Sequence, residues 1–400
     1  MKINRLFAVL TAIALMVLVA AGCEKVPIPD TSSTPPVSEG PEETQESPEN
    51  SEAPVDPEAP VAYFDYEKGY AAFAPDTVLF TAGGIDVTWD DFYYLLGNNV
   101  SAASQSLDLS GGWDVPFQGD VPIGKYIIEQ ATLGMLEEKA ILGMAKSMDV
   151  SISEEDETAI AQGVESLITE NGSEEAVIQL LADNFFMGGI EQYKNYMRTR
   201  YILYACFDSM YGENAENLSD EELAEYTKDD GYLMTKHILT MKVSRDESGA
   251  LVDLPEEERA AAEKKINDIL NQLDSFEGAD FDTYFNTLMN ENSEDTGLAG
   301  YPDGYLFQEG DMVPEFYEGT LALEIGEYSQ IIESSFGYHI IYRIPINYDS
   351  APSNMQYGLR LLCAEEMFFS ALTGWQNNME VTYSDIYNSL DMSAMFVPNN

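Results

Sequence analysis

Hydrophobic positions in this chain repeat with the period of a β-strand in two regions and with the period of a helix over much of the remainder. Alternating apolar residues from Thr77 to Trp89, on either side of Gly83-Gly84, predict two short strands joined by a hairpin. Asp90 then opens a predicted helix. Further helical patterns cover 123–148, 154–170, 174–185, 190–211 and a shorter stretch from Ser219 to about Lys228.

The period changes at Tyr232. A strand is predicted over 232–243, followed by a helix over 256–273 whose apolar residues recur at i, i+3, i+4 and i+7. Shorter elements follow: a helix over about 281–289, the segment 305–307, a helix from Pro314, and strands around 331–332 and 339–344. After Asn347 a helical pattern returns over 356–378. The sequence therefore predicts an α+β fold: an antiparallel sheet with flanking helices, plus a mainly α-helical module formed by the N- and C-terminal segments.

The first 23 residues have the order of an export signal. Two basic residues precede an apolar run from Leu6 to Val19, and three small residues then lead into Cys23. This order resembles a bacterial lipoprotein signal peptide (1–22), which implies lipidation of Cys23. An uncleaved transmembrane anchor is the alternative, although the run is shorter than the about 20 residues that a bilayer requires. We expect a protein that is extracytoplasmic and lipid-anchored to the bacterial cell membrane.

Residues 23–61 are predicted to be an acidic, proline-rich disordered spacer. From 24 to 60 the chain holds nine of its 18 prolines and no aromatic residue. Such a segment cannot bury enough apolar surface to offset the entropy of ordering, and its like charges repel one another. We expect it to separate the folded part from the lipid.

The charge of the chain is strongly negative, with 71 acidic and 19 basic residues and a net charge of −52. An acidic surface repels nucleic acid and anionic headgroups, so neither is expected as a partner. The charge fits simple colloidal solubility, and it would also favour basic or cationic clients.

Cys206 and Cys363 lie in apolar helical patterns. One disulfide between them is arithmetically possible, but two buried free thiols are favoured. No CxxC or Cys/His spacing suggests zinc, and the two histidines of the chain have no third neutral ligand at a suitable spacing. We therefore expect neither a metal nor a cofactor.

The predicted helices at 174–185 and 190–211 are rich in aromatic residues. These are Phe185, Phe186, Tyr193, Tyr196, Tyr201, Tyr204 and Phe207. They are typical of a helical core, and an apolar surface that holds client chains is the functional alternative.

Only two histidines occur in the chain, His237 and His339, and both lie in apolar strand patterns. Imidazole titrates near neutral pH and can donate and accept a hydrogen bond at the same time. A single strand histidine is typically a core residue whose polar atoms have found partners. Two of them on strands of one small unit can face each other across a sheet, so the surrounding motifs decide between the two interpretations.

Several motifs occur in order between Gly231 and Pro345. They are Lys236-His-Ile-Leu239, Ser293-Glu-Asp295, Gly310-Asp-Met-Val-Pro-Glu-Phe316, Leu323 with Gly326-Glu327 and Ser329, and Phe336-Gly-Tyr-His-Ile-Ile341. In this order and at this spacing they resemble the parvulin family of peptidyl-prolyl isomerases. The resemblance implies a parvulin-like antiparallel sheet that rotates X-Pro amide bonds without a cofactor.

The resemblance also implies which residues act. The catalytic hydrogen-bond network would consist of His237, Asp295, Ser334 and His339. The substrate-binding residues around the proline ring would be Leu306, Phe307, Met312 and Phe316. We expect the histidines to remain in neutral tautomers that orient the substrate and transfer no proton. Asp303-Gly304-Tyr305 departs from the family's more usual Gly-Asp-Leu-Gly run, so the aliphatic wall of the pocket differs here.

Phosphate recognition is not expected. Parvulins that read phosphoserine- or phosphothreonine-proline carry a basic cluster after the first strand, because phosphate is bound by Arg and Lys. Here Lys242-Val-Ser-Arg245 is followed by Asp246-Glu247 and Glu256-Glu-Glu258.

The complete order of segments resembles the extracytoplasmic foldases of the PrsA and SurA type. It implies an N-terminal helical chaperone-like region (62–228), a parvulin-like domain (229–346) and a C-terminal helical segment (347–400) that packs with the N-terminal region. The expected partners are unfolded or newly secreted polypeptides containing X-Pro bonds, and the membrane through the lipid anchor. A non-catalytic chaperone that keeps the parvulin fold is one alternative. An envelope ligand-binding lipoprotein is the other.

Overall fold

The computed structural model describes residues 63–399 apart from Glu247 and Asn354. The predicted signal peptide 1–22, the lipidation site Cys23 and the spacer 23–61 lie outside the described residues. The remainder forms two compact units, one of residues 63–210 together with 368–399 and the other of residues 211–367.

The first unit is mainly helical. Its N-terminal strands are β1 (Tyr63–Phe64), β2 (Val78–Ala82), β3 (Ile85–Thr88), β4 (Pro116–Gln118) and β5 (Val121–Pro122). Its helices are α1 (Tyr66–Tyr70), α2 (Trp89–Ser106), α3 (Ile123–Ser147), α4 (Glu154–Asn171), α5 (Glu174–Asp183) and α6 (Gly189–Tyr211). The predicted hairpin at 77–89 and the four long predicted helices are thus confirmed.

Local sequence signals account for the start of α2. Gly83 and Gly84 adopt φ values of +57° and +78° in the β2–β3 turn, a conformation that glycine tolerates. The Thr88 hydroxyl accepts from the Asp91 N–H, and the Asp91 carboxylate accepts from the Thr88 N–H, which is a capping box. The core of the unit forms on the buried face of α2, around Trp89 and its neighbours.

The aromatic residues of the 174–211 region belong largely to a core. Phe185, Phe186 and Phe207 are buried. Tyr193 and Tyr196 pack against a cluster around Phe186. The helical-core interpretation is confirmed for these side chains.

The second unit combines a sheet with helices. Its elements are α7 (Asp220–Tyr226), β6 (Leu233–Met241), β7 (Val243–Arg245), β8 (Leu251–Asp253), α8 (Glu256–Asp274), α9 (Phe281–Asn292), a 3₁₀ helix (Thr296–Gly300), β9 (Tyr305–Phe307), α10 (Pro314–Leu321), β10 (Ile332–Glu333), β11 (Gly337–Arg343) and the start of α11 (Leu359–Asn377). The first unit is then completed by β12 (Val381–Tyr383), α12 (Asp385–Asn388), α13 (Met392–Met395) and β13 (Pro398–Asn399). Within that unit β12 pairs with β2, and β13 pairs with β1.

The main sheet of the second unit has the strand order β10-β11-β6-β9, and every neighbouring pair is antiparallel. Alternate residues of a strand point to opposite faces of a sheet. Ile238 and Ile340 point to the face covered by α8 and α9. Leu233 and Ile341 point to the other face, where they pack with Phe316 of α10. The predicted α+β class, an antiparallel sheet with flanking helices, is confirmed.

Two features of this unit differ from the sequence expectation. The strand predicted over 232–243 ends at Met241, and Val243 instead pairs with Asp253 in a separate β7–β8 hairpin that the sequence pattern did not predict. The compact unit also extends beyond 229–346. Leu223 of α7 and Leu359 of α11 pack in one cluster with Leu306, which joins the flanking helices to the sheet.

Cys206 and Cys363 are both buried and free, as the sequence favoured. Burial raises the pKa of the Cys363 thiol to about 11, so it stays protonated at neutral pH. In the described part of the chain, every helix is too short or too polar to cross a bilayer.

Candidate active site

The two histidines lie diagonally across neighbouring strands on the same face of the main sheet. In the β6–β11 register His237 is opposite Ile341, and His339 is opposite Leu239. The two Nδ1 atoms are 3.2 Å apart and the ring planes differ by 14°. The sequence expectation that the pair meets across the sheet is therefore confirmed in geometry.

Both rings are almost completely buried, with exposed fractions of 6% for His237 and 3% for His339. Burial disfavours a charged imidazole. Burial and the neighbouring His237 ring together lower the pKa of His339 to about 3. His339 is therefore neutral at physiological pH.

Asp295 lies at one end of the pair, at the start of the 3₁₀ helix. Its Oδ2 atom is 2.8 Å from His237 Nε2, and it accepts from the Tyr305 hydroxyl at 2.6 Å. Its Oδ1 atom accepts from the Gly297 N–H at 2.8 Å. Burial alone would raise the pKa of Asp295, but the hydrogen bond and electrostatic attraction of His237, together with the hydrogen bonds from Tyr305 and Gly297, outweigh it and hold the pKa at about 2. Asp295 is therefore a carboxylate, which can only accept hydrogen bonds.

Ser334 lies at the other end of the pair and is buried. Its Oγ atom is 2.7 Å from His339 Nε2, and it accepts from the Phe336 N–H at 3.1 Å. Gly337 starts β11 so close to β6 that a Cβ atom there would overlap the Thr240 carbonyl. The sequence of this turn therefore brings the serine hydroxyl to the Nε2 atom of His339.

One assignment of protons satisfies every member of this network when both rings are neutral. His237 Nε2–H donates to the Asp295 carboxylate, which leaves His237 Nδ1 as an acceptor. His339 Nδ1–H donates to it, and His339 Nε2 accepts from the Ser334 hydroxyl. The hydrogen bonds then run in one direction from the Phe336 N–H to Asp295. All four predicted network residues are brought together.

The predicted substrate-binding residues divide between two faces of the sheet. Phe316 contacts both imidazoles edge to face, with ring centroids 5.1 Å from His237 and 5.5 Å from His339. Phe307 and the half-buried Met312 belong to the same apolar cluster as Phe316. These three residues form an apolar wall beside the histidines.

Leu306 was wrongly placed in this wall. It is fully buried on the opposite face of the sheet, in a cluster with Met234 and Leu359. Because side chains alternate along β9, Leu306 cannot share a face with Phe307. The neighbour that does share it is Tyr305, which the sequence expectation omitted. The alternation 305/307 on one short strand was the signal that could have identified it.

Charged residues near the network are paired within the unit. Lys242 Nζ is 2.7 Å from Glu333 Oε1, and Lys265 Nζ is 2.8 Å from Glu294 Oε1. The Arg245 guanidinium donates to the Gly249 carbonyl. Lys242, just after β6, and Lys265, on α8, are thus each paired with a carboxylate.

This fold and this network define a parvulin-type peptidyl-prolyl isomerase domain. Residues 237–344 match the family of PPIC-type PPIase (rotamase) domains. The chain is 33% identical over 158 residues to the foldase protein PrsA of Oceanobacillus iheyensis. The aligned region covers 38% of this chain and 43% of that protein. The chain is 40% identical over 80 residues to the foldase protein PrsA of Halalkalibacterium halodurans, which covers 20% and 22%. The chain therefore spans less than half the length of these relatives.

Solved structures of similar proteins include PrsA from Bacillus subtilis. That structure has 16% sequence identity, covers 66% of this chain and 89% of its own, and has a TM-score of 0.24. The parvulin NmPin of Nitrosopumilus maritimus has 29% identity, covers 29% of this chain and 97% of its own, and has a TM-score of 0.20.

Proposed function

We propose that this protein is a membrane-anchored extracytoplasmic foldase that catalyses cis/trans isomerisation of X-Pro bonds in secreted polypeptides. The observation that carries the proposal is the continuous hydrogen-bond chain from Ser334 through His339 and His237 to Asp295, buried beside the wall of Phe316 and Met312. A buried polar network next to an apolar wall is suited to one substrate group with both characters, a proline ring and its preceding carbonyl.

The chemistry of the reaction matches the residues in the site. Rotation about an X-Pro amide has a barrier of about 18–20 kcal/mol because resonance must be broken, and no covalent bond is made or cleaved. A site that binds the twisted amide better than either planar form lowers this barrier without a nucleophile. Neutral imidazoles in fixed tautomers supply orientation, and the apolar wall holds the ring and excludes water from the amide.

Recognition of phosphorylated clients is not part of the proposal. A phosphate needs unpaired Arg or Lys side chains. Lys242 and Lys265 are already within salt-bridge distance of Glu333 and Glu294, so a phosphate would have to compete with two carboxylates. Clients with neutral or basic residues before proline suit this site better.

The proposed chaperone module consists of residues 62–228 and 347–400. The pairing of β13 with β1 and of β12 with β2 supports it, because strands from both ends of the described chain form joint sheets in the first unit. In the proposal this module holds unfolded clients while the parvulin-type domain (229–346) isomerises their prolyl bonds, a step that otherwise takes tens of seconds or more.

Two assays test the catalytic part. The purified chain is expected to accelerate isomerisation of an X-Pro tetrapeptide and refolding of a test protein whose slow phase is limited by proline. A correctly folded chain that accelerates neither would overturn it. Suppression of aggregation by that same chain would then favour the non-catalytic chaperone.

The anchoring part has a separate test with internal controls. Cells expressing the chain are supplied with an alkyne-tagged fatty acid, and the label is expected on the wild-type protein but not on the Cys23→Ser variant. Cys206→Ser and Cys363→Ser should retain the label because both thiols are buried. Labelling that survives Cys23→Ser would contradict the proposed anchor.

A further inference from the structure

Tyr305 contacts the catalytic network at a point that the motifs around the histidines do not include. Its hydroxyl donates to Asp295 Oδ2 at 2.6 Å, and the same oxygen is 2.8 Å from His237 Nε2. We propose that Tyr305 is a positioning residue of the isomerase site, which acts through Asp295 to fix the ring orientation and tautomer of His237. This inference rests on the proposed isomerase function.

The local backbone makes room for this contact in two places. Gly304 has φ +109°, and a Cβ atom there would lie 2.5 Å from the Thr235 carbonyl oxygen. The chain can therefore enter β9 directly beside β6. A Cβ atom on Gly297 would overlap the Tyr305 hydroxyl, so glycine at this position lets the hydroxyl reach the carboxylate.

The ring of Tyr305 is held from two sides. Tyr301 packs against it with ring centroids 4.6 Å apart, and His237 meets it edge to face at 5.5 Å. Tyr305 itself is opposite Thr235 in the β6–β9 register, two residues before His237 on the same face. The hydroxyl therefore has one orientation, towards Asp295.

The carboxylate of Asp295 needs more than one donor to stay in place. Its side chain is 18% exposed, so water can compete for it. Gly297 N–H fixes Oδ1, while Tyr305 and His237 converge on Oδ2. Without the tyrosine hydroxyl the carboxylate can turn towards water. His237 then loses a fixed acceptor, and both of its neutral tautomers become accessible.

A change of tautomer at His237 affects the whole network. With Nδ1–H on His237, the hydrogen bond to His339 reverses and Ser334 must accept instead of donate. The site would then spend part of its time with its donors and acceptors exchanged. The consequence falls on turnover more than on binding, because the apolar wall of Phe316 and Met312 is unchanged.

The test compares Tyr305→Phe with Tyr328→Phe in the purified full chain. Tyr328 is a matched control, since its hydroxyl also donates to a carboxylate, Asp274 Oδ1 at 2.8 Å, but on the other side of the sheet. We expect kcat/KM of Tyr305→Phe to fall about tenfold with KM changed less than about twofold, the size of effect of one hydrogen bond to a charged group. Tyr328→Phe should keep the wild-type values.

A spectroscopic readout separates positioning from a merely structural role. Because the chain has only two histidines, selective ¹⁵N labelling of histidine gives four ring-nitrogen signals, provided that the affinity tag contains none. Wild type and Tyr328→Phe should each show a single tautomer, Nε2–H for His237 and Nδ1–H for His339. In Tyr305→Phe the His237 signals should move towards the average of the two tautomers.

Gly297→Ala provides a second route to the same result with the tyrosine still present. The added methyl group displaces the hydroxyl while the Gly297 N–H is kept, so the same loss of tautomer and turnover is expected. Unchanged tautomers and unchanged kcat/KM in Tyr305→Phe, or in Gly297→Ala if the first variant does not fold, overturn the inference. A wild-type chain without isomerase activity would refute the proposed function, and the nitrogen signals would still decide whether Tyr305 positions the pair.

Discussion

The Nδ1 atoms of His237 and His339 lie 3.2 Å apart, so each buried imidazole is the hydrogen-bond partner of the other. When both rings are neutral, a hydrogen bond between these two atoms requires that one of them carries a proton and the other does not. The direction of the hydrogen bond between the rings is therefore set by the partners at the two ends, Asp295 at His237 and Ser334 at His339. A pair held in this way is a polar scaffold. It is poorly suited to acid–base catalysis, because protonation of His339 is opposed by burial.

The unfolding free energy should fall as the pH decreases from about 6.5 to about 3. The pKa of His339 is lowered from its ordinary 6.5 to about 3, so in this window the unfolded chain binds a proton that the folded chain does not. Stability is then present above pH 6.5 and is lost as the pH falls. The contribution is on the order of 2–4 kcal/mol. Asp295, with a pKa of about 2, adds a loss of the same sign below about pH 3.8.

Chemical denaturation at a series of pH values measures this effect. His339→Asn lacks the titrating ring, so its stability should be lower at neutral pH but should vary less between pH 6.5 and 3. An equal slope in wild type and variant would show that His339 is not the group responsible.

Ser334→Ala should weaken both stability and turnover. The change removes the donor to the buried His339 Nε2 and the acceptor of the Phe336 N–H, which lies at a half-buried residue. We expect a loss of about 1–3 kcal/mol in the free energy of unfolding. The neighbouring Ser335→Ala is the control because Ser335 is exposed. If the two variants unfold at the same denaturant concentration, Ser334 does not support the ring.

The fold followed from the sequence because its signals are local, and the network was implied by the resemblance of the ordered motifs to the parvulin family. The strand periods, the capping pairs and the ordered motifs around the two histidines each depend on a few adjacent residues. The two errors at the site both concern β9, which is only three residues long. A strand of that length gives too few alternations to show which residues face the core on which side. Leu306 was therefore assigned to the pocket and Tyr305 was omitted.

Two features of the second unit left no readable pattern in the sequence. All three residues of β8 are exposed, Leu251 and Val252 among them, so no buried face marks this strand of the β7–β8 hairpin in the sequence. The packing of Leu223 and Leu359 beside Leu306 joins positions far apart in the chain. Spacing along a sequence does not reveal such contacts.

Met312→Ala should weaken substrate binding, whereas Leu306→Ala should weaken stability. Met312 is half-buried in the apolar wall, so its truncation should raise KM about fivefold through lost apolar contact with the proline ring, at small cost in stability. Leu306 is fully buried on the other face, and its truncation should cost about 2–5 kcal/mol with KM unchanged. Steady-state kinetics together with thermal unfolding distinguish the two. A rise in KM for Leu306→Ala would show that Leu306 contributes to substrate binding after all.

Glu365→Gln should stabilise the protein at pH 8 and leave it nearly unchanged at pH 4.5. Glu365 is only 7% exposed on α11, and burial raises its pKa from 4.5 to about 7. Between these values the folded chain binds a proton that the unfolded chain does not, so stability falls as the pH rises, the opposite sign to His339. The neutral amide avoids the buried charge, and we expect a gain of about 1–3 kcal/mol at pH 8.

Melting temperatures at pH 4.5 and pH 8 for wild type, Glu365→Gln and Glu291→Gln measure this gain. Glu291 is a suitable control because it is an exposed glutamate on a helix of the same unit. Relative to wild type, the melting temperature of Glu365→Gln should be higher at pH 8 and nearly unchanged at pH 4.5, whereas Glu291→Gln should match wild type at both pH values. Because the titrations of Glu365 and His339 oppose each other between about pH 4.5 and 6.5, the acid loss assigned to His339 should become steeper in Glu365→Gln. A profile that keeps its wild-type shape in that variant would mean that Glu365 is already ionised in the folded protein.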